Sequence, residues 1–178
     1  MAATLELLAE RGFQETTMEA IAASAGVGKN TIYRRWPSKE DLIADAIREL
    51  SAELDVEEEG DVRTLLLERL NEFAHVFADP LLGRILPGLL GELERNPAFA
   101  AVYAERVVRP RHEALVELLT RARNRGELRG DVDPGVVADL IIGPPLLRLL
   151  FPFGLPDLPA GWAERLFETI WAGIEPRP

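Results

Sequence analysis

From Gly28 to Lys39 the chain carries four basic side chains, Lys29, Arg34, Arg35 and Lys39, and no acid. Lys, Asn, Thr and Arg pair with base edges or phosphate oxygens, and a tyrosine hydroxyl reaches phosphate. Lys29, Asn30, Thr31, Tyr33 and Arg34 bring all of these types into one short segment. Lys39 follows in the first turn of a further helix, whose free N–H groups attract phosphate. This is the chemistry of a nucleic-acid contact. The plainer alternative is a short exposed basic helix on a helical protein, and charge alone does not separate the two.

The elements around this segment weigh against the plainer alternative. A short helix from Met18 to Ser24 is expected to bury Ile21, Ala22 and Ala25. Gly26 permits a tight left-handed turn, and Val27 is expected to plug that turn into the core. A second short helix starts near Gly28 and stops before Pro37, with Ile32 facing inward and Trp36 beside it. Two helices joined by a tight glycine turn give a helix-turn-helix layout, in which the second helix can lie in a DNA major groove.

Thr16-Thr17, Ile21-Ala22, Ala25-Gly26-Val27, Thr31-Ile32-Tyr33 and Pro37-Ser38-Lys39-Glu40 through Leu42 resemble the DNA-binding domain of TetR/AcrR-type transcriptional regulators. The resemblance covers residues 4–47, about a quarter of the chain. It implies a homodimeric repressor that places its third helix in the major groove of a double-stranded operator. It also implies release by a small molecule bound in a C-terminal domain. By position it assigns DNA contacts to Thr17, Lys29, Asn30, Thr31, Tyr33, Arg34 and Lys39. Tyr33 and Lys39 are then phosphate contacts, and Lys29, Asn30 and Arg34 the candidates for base readout. Members of the family carry a further turn or more of basic helix ahead of Ala3-Thr4-Leu5-Glu6-Leu7-Leu8, which here stands almost at Met1. Phosphate contacts from such an arm are expected only if the protein continues upstream.

Charge restricts how such a protein could hold DNA. Twenty Lys and Arg stand against thirty Asp and Glu, a net charge of −10. Within the first 50 residues six basic and eight acidic side chains leave −2. The whole surface therefore does not attract nucleic acid, and binding must come from a local patch and be salt-sensitive. The chain has no cysteine, which removes disulfides and thiolate metal sites and fits a cytoplasmic protein. No run of 18 apolar residues offers a membrane span. No nucleophile elbow, glycine-rich phosphate loop or pair of histidines at metal-ligand spacing occurs, so neither an enzyme nor a cofactor is expected.

Helix is the reading for the whole chain. Apolar residues recur at three and four, as in Leu66, Leu70, Phe73 and Phe77, or Ala163, Leu166, Ile170 and Ile174, and no strand pattern appears. Asp79-Pro80, Asn96-Pro97 and Asp133-Pro134 each place a capping side chain before a first-turn proline. Ser38 and Asp41 resemble a capping box. About nine helices follow, roughly 2–11, 17–24, 28–35, 38–53, 62–77, 80–95, 97–125, 134–150 and 161–173. Pro110 should kink the seventh, and Gly143-Pro144-Pro145 should kink or split the eighth. The acidic stretch 55–61 reads as a loop. The expected fold is all-α, with a three-helix helix-turn-helix domain over 1–50 and a helical effector-binding and dimerisation domain over 51–178.

The C-terminal part is less explicit. An effector pocket between helices would be lined by Phe73, Phe77, Leu86, Tyr103, His112, Leu146 and Phe151, whose character suits a hydrophobic molecule. The last two helices carry more apolar surface than one neighbour can cover. Val137, Leu140, Ile141, Trp162, Leu166 and Ile170 are the candidates for an isologous four-helix dimer interface. The segment 151–156 would pack on the partner or over the pocket. The alternative function is a helical small-molecule-binding or interaction module without effective DNA binding.

Overall fold

The computed structural model describes residues 1–49, 60–150 and 160–176; for residues 73, 76–78, 149 and 150 it describes the backbone alone. The described residues are all-α. The helices are α1 (Ala2–Glu15), α2 (Met18–Ser24), α3 (Lys29–Arg35), α4 (Lys39–Arg48), α5 (Val62–Ala78), α6 (Pro80–Arg95), α7 (Pro97–Tyr103), α8 (Arg109–Asn124), α9 (Pro134–Leu150) and α10 (Trp162–Ile174). A single π turn, Ala104–Val108, joins α7 to α8 without a break. Counting that run as one helix gives nine among the described residues.

Local chemistry accounts for the ends. Thr17, Ser38, Asp79 and Asn96 each accept a hydrogen bond from a backbone N–H in the first turn of the following helix, at Ala20, Asp41, Leu81 and Phe99. Asp133 does the same for Gly135 at 2.8 Å. Asp61, expected in the acidic loop, instead caps α5 through Thr64; the rest of that loop and the segment 151–156 lie outside the described residues. The α2 terminus closes with Gly26 at φ 66°, Gly26 N–H on the Ala23 carbonyl and Val27 N–H on the Ala22 carbonyl. That pairing needs a left-handed residue, which glycine supplies without a Cβ penalty. α9 is one helix with Pro144 and Pro145 inside it, not split.

Two compact units form, and they do not divide at residue 50 alone. The first joins residues 1–51 to 79–110. There α1 packs on α4 and α6, and α4 packs on α7 and the π turn. Phe99 of α7 is fully buried, its ring 4.6 Å from that of Phe13; such burial contributes about 1.5–3 kcal/mol. Residues 79–110 belong here because α6 and α7 cover the apolar faces of α1 and α4, which the short helices α2 and α3 leave open. The second unit joins 52–78 to 111–178. Its core sets Leu66 and Leu70 of α5 against Leu119 of α8, Ile141 of α9 and Phe167 of α10.

Candidate nucleic-acid interface

α3 is anchored by one side chain. Ile32 is its only buried residue, and it packs with Ile21, Ala22 and Leu42. Trp36, which caps the C-terminus, is half-buried beside it. The other residues of α3, including Lys29, Asn30, Thr31, Tyr33 and Arg34, are exposed. Asn30 and Arg34 make no side-chain hydrogen bond or ion pair with any described residue, so both heads are free to meet a ligand. Arg35 lies over the Trp36 ring at 4.6 Å. Thr17 uses its hydroxyl oxygen to accept from Ala20 N–H at 3.1 Å. Its O–H remains free to donate.

Two expectations in the turn are corrected. Ala25 and Val27 are exposed, Val27 by 41 %. The backbone pairing that closes the turn around Gly26 directs these side chains outward, where with Met1, Thr31 and Arg34 they border a shallow groove. Lys39 makes a contact within the fold. Its half-buried ammonium donates to the Phe13 carbonyl at 2.9 Å and sits 4.4 Å from the Phe13 ring centre. One of its three donors is thereby spent on α1, within cation–π range of an aromatic face.

Sequence reasoning missed Glu19. It lies on α2, ten residues before Lys29, and the turn folds it back against α3. Lys29 Nζ approaches Glu19 Oε1 at 3.0 Å, and the Tyr33 hydroxyl donates to the same oxygen at 3.5 Å. The hydrogen bond from Lys29 holds the Glu19 carboxyl below its ordinary value of 4.5. The basic segment is acid-free in sequence but not in space. No signal in the sequence marked this contact, because it depends on how the turn sets α2 against α3.

The C-terminal candidates separate. Leu86 is buried, and Tyr103 packs on Phe99 with ring centres 5.8 Å apart, both in the first unit. His112 and Leu146 are in the second unit. Phe151 and the side chains of Phe73 and Phe77 lie outside the described residues. His112 Nε2 is 3.3 Å from Asp139 Oδ1. It borders a groove of about 600 Å³ with Val116, Thr120, Arg121, Arg123 and Pro134, which Leu146 does not line. Among the dimer candidates, Val137, Ile141 and Ile170 are corrected: each is buried in its own unit's core. The outward stripe of α9 is Val136, Leu140 and Leu147, exposed by 56, 48 and 51 %, with exposed Gly143 between the last two. A one-residue step along a helix turns a side chain by about 100°, which exchanges Leu140 for Ile141. Trp162 and Leu166 are half-buried. Among the described residues no helix is long and apolar enough to cross a membrane.

The comparisons agree with this arrangement. Residues 1–46 match the family of bacterial regulatory proteins, tetR family. Residues 56–170 match the tetracyclin repressor-like C-terminal domain. An uncharacterised HTH-type transcriptional regulator of Mycobacterium tuberculosis, Rv1556, is 35% identical over 85% of this chain and 75% of its own length. A DNA-binding transcriptional repressor TetR of Mycobacteroides abscessus is 29% identical over 79% of this chain and 74% of its own. The solved structure of the TetR family transcription regulator SCO0332 superposes with a TM-score of 0.73 at 34% identity, covering 98% of this chain and 95% of that one. Helix-turn-helix geometry, an exposed basic second helix and family matches over both halves lead to one statement: the chain belongs to the TetR family of DNA-binding transcriptional regulators.

Proposed function

We propose that this regulator is a one-component repressor. Two copies would place α3 in major grooves about one helical turn apart on a palindromic operator. The observation that carries the reading is the display on α3, where Lys29, Asn30, Thr31, Tyr33 and Arg34 are all exposed around a single buried anchor, Ile32. Arg34 and Asn30 suit base edges, because guanidinium and amide groups form paired hydrogen bonds to guanine and adenine. Thr17 and Tyr33 suit phosphate. The likeness to the Mycobacteroides abscessus repressor supports repression as the direction of control.

Homodimerisation is proposed through α9 and α10. The exposed Val136, Leu140 and Leu147 stripe is of the kind covered in an isologous interface. A small hydrophobic effector bound in the helical C-terminal part would release DNA by favouring one of two packings. A cytoplasmic location follows from this role.

Selection of duplexes from a random pool at about 0.1 M salt, where the Debye length is about 10 Å, tests the reading. Enrichment of a palindrome is the expected result. A dimer that binds apolar ligands and enriches no duplex, also when the chain is extended upstream of Met1, would establish the ligand-binding module instead.

A further inference from the structure

The π turn carries one side chain that reaches the corner between α3 and α4. Arg109 N–H reaches back five residues to the Ala104 carbonyl. Pro110 follows, with no N–H to give and a ring that would press on the carbonyl of Arg106 in a regular helix. A wider turn relieves that conflict, and such turns inside α-helices recur at functional positions.

Arg106, in that turn, spans two carboxylates of α4. Its Nη2 lies 2.5 Å from Asp41 Oδ1, and its Nη1 lies 3.3 Å from Asp45 Oδ1. Each carboxylate turns its other oxygen to the corner. Asp41 Oδ2 accepts from Ser38 Oγ at 2.6 Å, and Asp45 Oδ2 accepts from Trp36 Nε1 at 2.9 Å. Trp36 is the C-cap of α3 and Ser38 the N-cap of α4. One guanidinium therefore fixes two acids whose far oxygens fix both ends of Trp36-Pro37-Ser38. Arg48 also approaches Asp45, at 3.9 Å. The side chains of Asp41 and Asp45 are only 14 and 17 % exposed. Without Arg106, Asp41 and Asp45, like charges one helical turn apart with little water to screen them, would lose the cation that bridges them.

We propose that Arg106 is a positioning residue for DNA recognition, setting the C-terminal end of α3 through Asp45 and Trp36 while touching no DNA itself. This rests on the reading of α3 as the DNA reader. A planar guanidinium suits the task because its donors address two separate carboxylates at once.

The test uses the full-length protein and the duplex enriched by the wild type, with a scrambled duplex as reference. Active protein is titrated first, so that loss of folded material does not count as lost affinity. Arg106→Gln is expected to weaken the enriched duplex by about five- to a hundredfold, the loss of one base contact. The scrambled duplex should change little, and the salt slope should stay as it was, because no phosphate contact is removed. The Trp36 indole N–H resonance, identified by its absence in Trp36→Phe, should shift, and Arg106→Lys should recover part of both effects. Equal weakening of both duplexes, or an unmoved affinity ratio, overturns the proposal. An unmoved Trp36 resonance in Arg106→Gln overturns it as well. Failure of the wild type to enrich any duplex overturns the DNA-reader reading and this proposal with it, and is recognised without any variant.

Discussion

Lys29 and Glu19 stand 3.0 Å apart, ammonium to carboxylate, across the turn that joins α2 to α3. The same oxygen receives the Tyr33 hydroxyl. An acid from the supporting helix thus holds two residues of the candidate DNA face. Both partners are about half exposed, so the pair adds little to stability. Its consequence is electrostatic: approaching phosphates meet Lys29 with its charge already engaged. Glu19→Gln is expected to tighten binding to duplex DNA severalfold and to steepen its salt dependence. Fluorescence anisotropy over a salt series measures both, and an unchanged slope refutes this role of Glu19.

The pair also has a pH signature. Glu19 is depressed first by the hydrogen bond from Lys29. A carboxyl lowered in the folded state contributes stability above its unfolded value, and that contribution is lost as pH falls through the folded value. The Lys29–Glu19 contact should therefore persist at pH values where an ordinary glutamate is already protonated. A carbon-detected NMR titration should place the Glu19 midpoint below 4.5, and Lys29→Met should move it up. Identical midpoints in the two proteins would show that Lys29 is not the cause.

Arg34 and Asn30 have no hydrogen-bond or ion-pair partner among the described residues, so truncating them removes no polar contact there. Arg34→Ala should cost about 1–3 kcal/mol of specific binding and relax preference at one operator position. Repeating the duplex selection with the variant shows which position relaxes; an unaltered consensus would remove Arg34 from base readout.

Thr17 has two uses, which one variant removes together and another keeps together. Thr17→Ala should lower unfolding stability by about 1 kcal/mol, because the first turn of α2 loses its cap. Thr17→Ser keeps both the acceptor for Ala20 and the free O–H, and should match the wild type in urea unfolding and in DNA affinity.

Neighbouring residues of α9 should fail in opposite ways. Leu140→Glu places a charge on the exposed stripe and should yield a folded monomer, read by analytical ultracentrifugation. Ile141 is buried against α5 and α10. Ile141→Ala should cost about 2–5 kcal/mol of stability and leave the dimer contact itself intact. A Leu140→Glu protein that stays dimeric rules the stripe out as the interface.

The sequence by itself determined the helices, because what starts and stops a helix is local. Capping oxygens act within three residues, proline acts on the adjacent turn, and glycine supplies the left-handed φ where it stands. For that reason the starts at Met18, Lys39, Pro80 and Pro97 and the turn at Gly26 were legible. So was the outward set on α3, because one apolar residue in a seven-residue helix leaves little choice of inner face. Tertiary structure decided everything that depends on which element lies beside which. It brought Glu19 to Lys29, drew Lys39 onto Phe13, and placed Arg106 against Asp41 and Asp45, which lie more than sixty residues earlier in the chain. It also turned Ile141 inward and Leu140 outward, although both are apolar neighbours on one helix. Periodicity marks a helix face as apolar, but only the packed neighbours determine where that face ends.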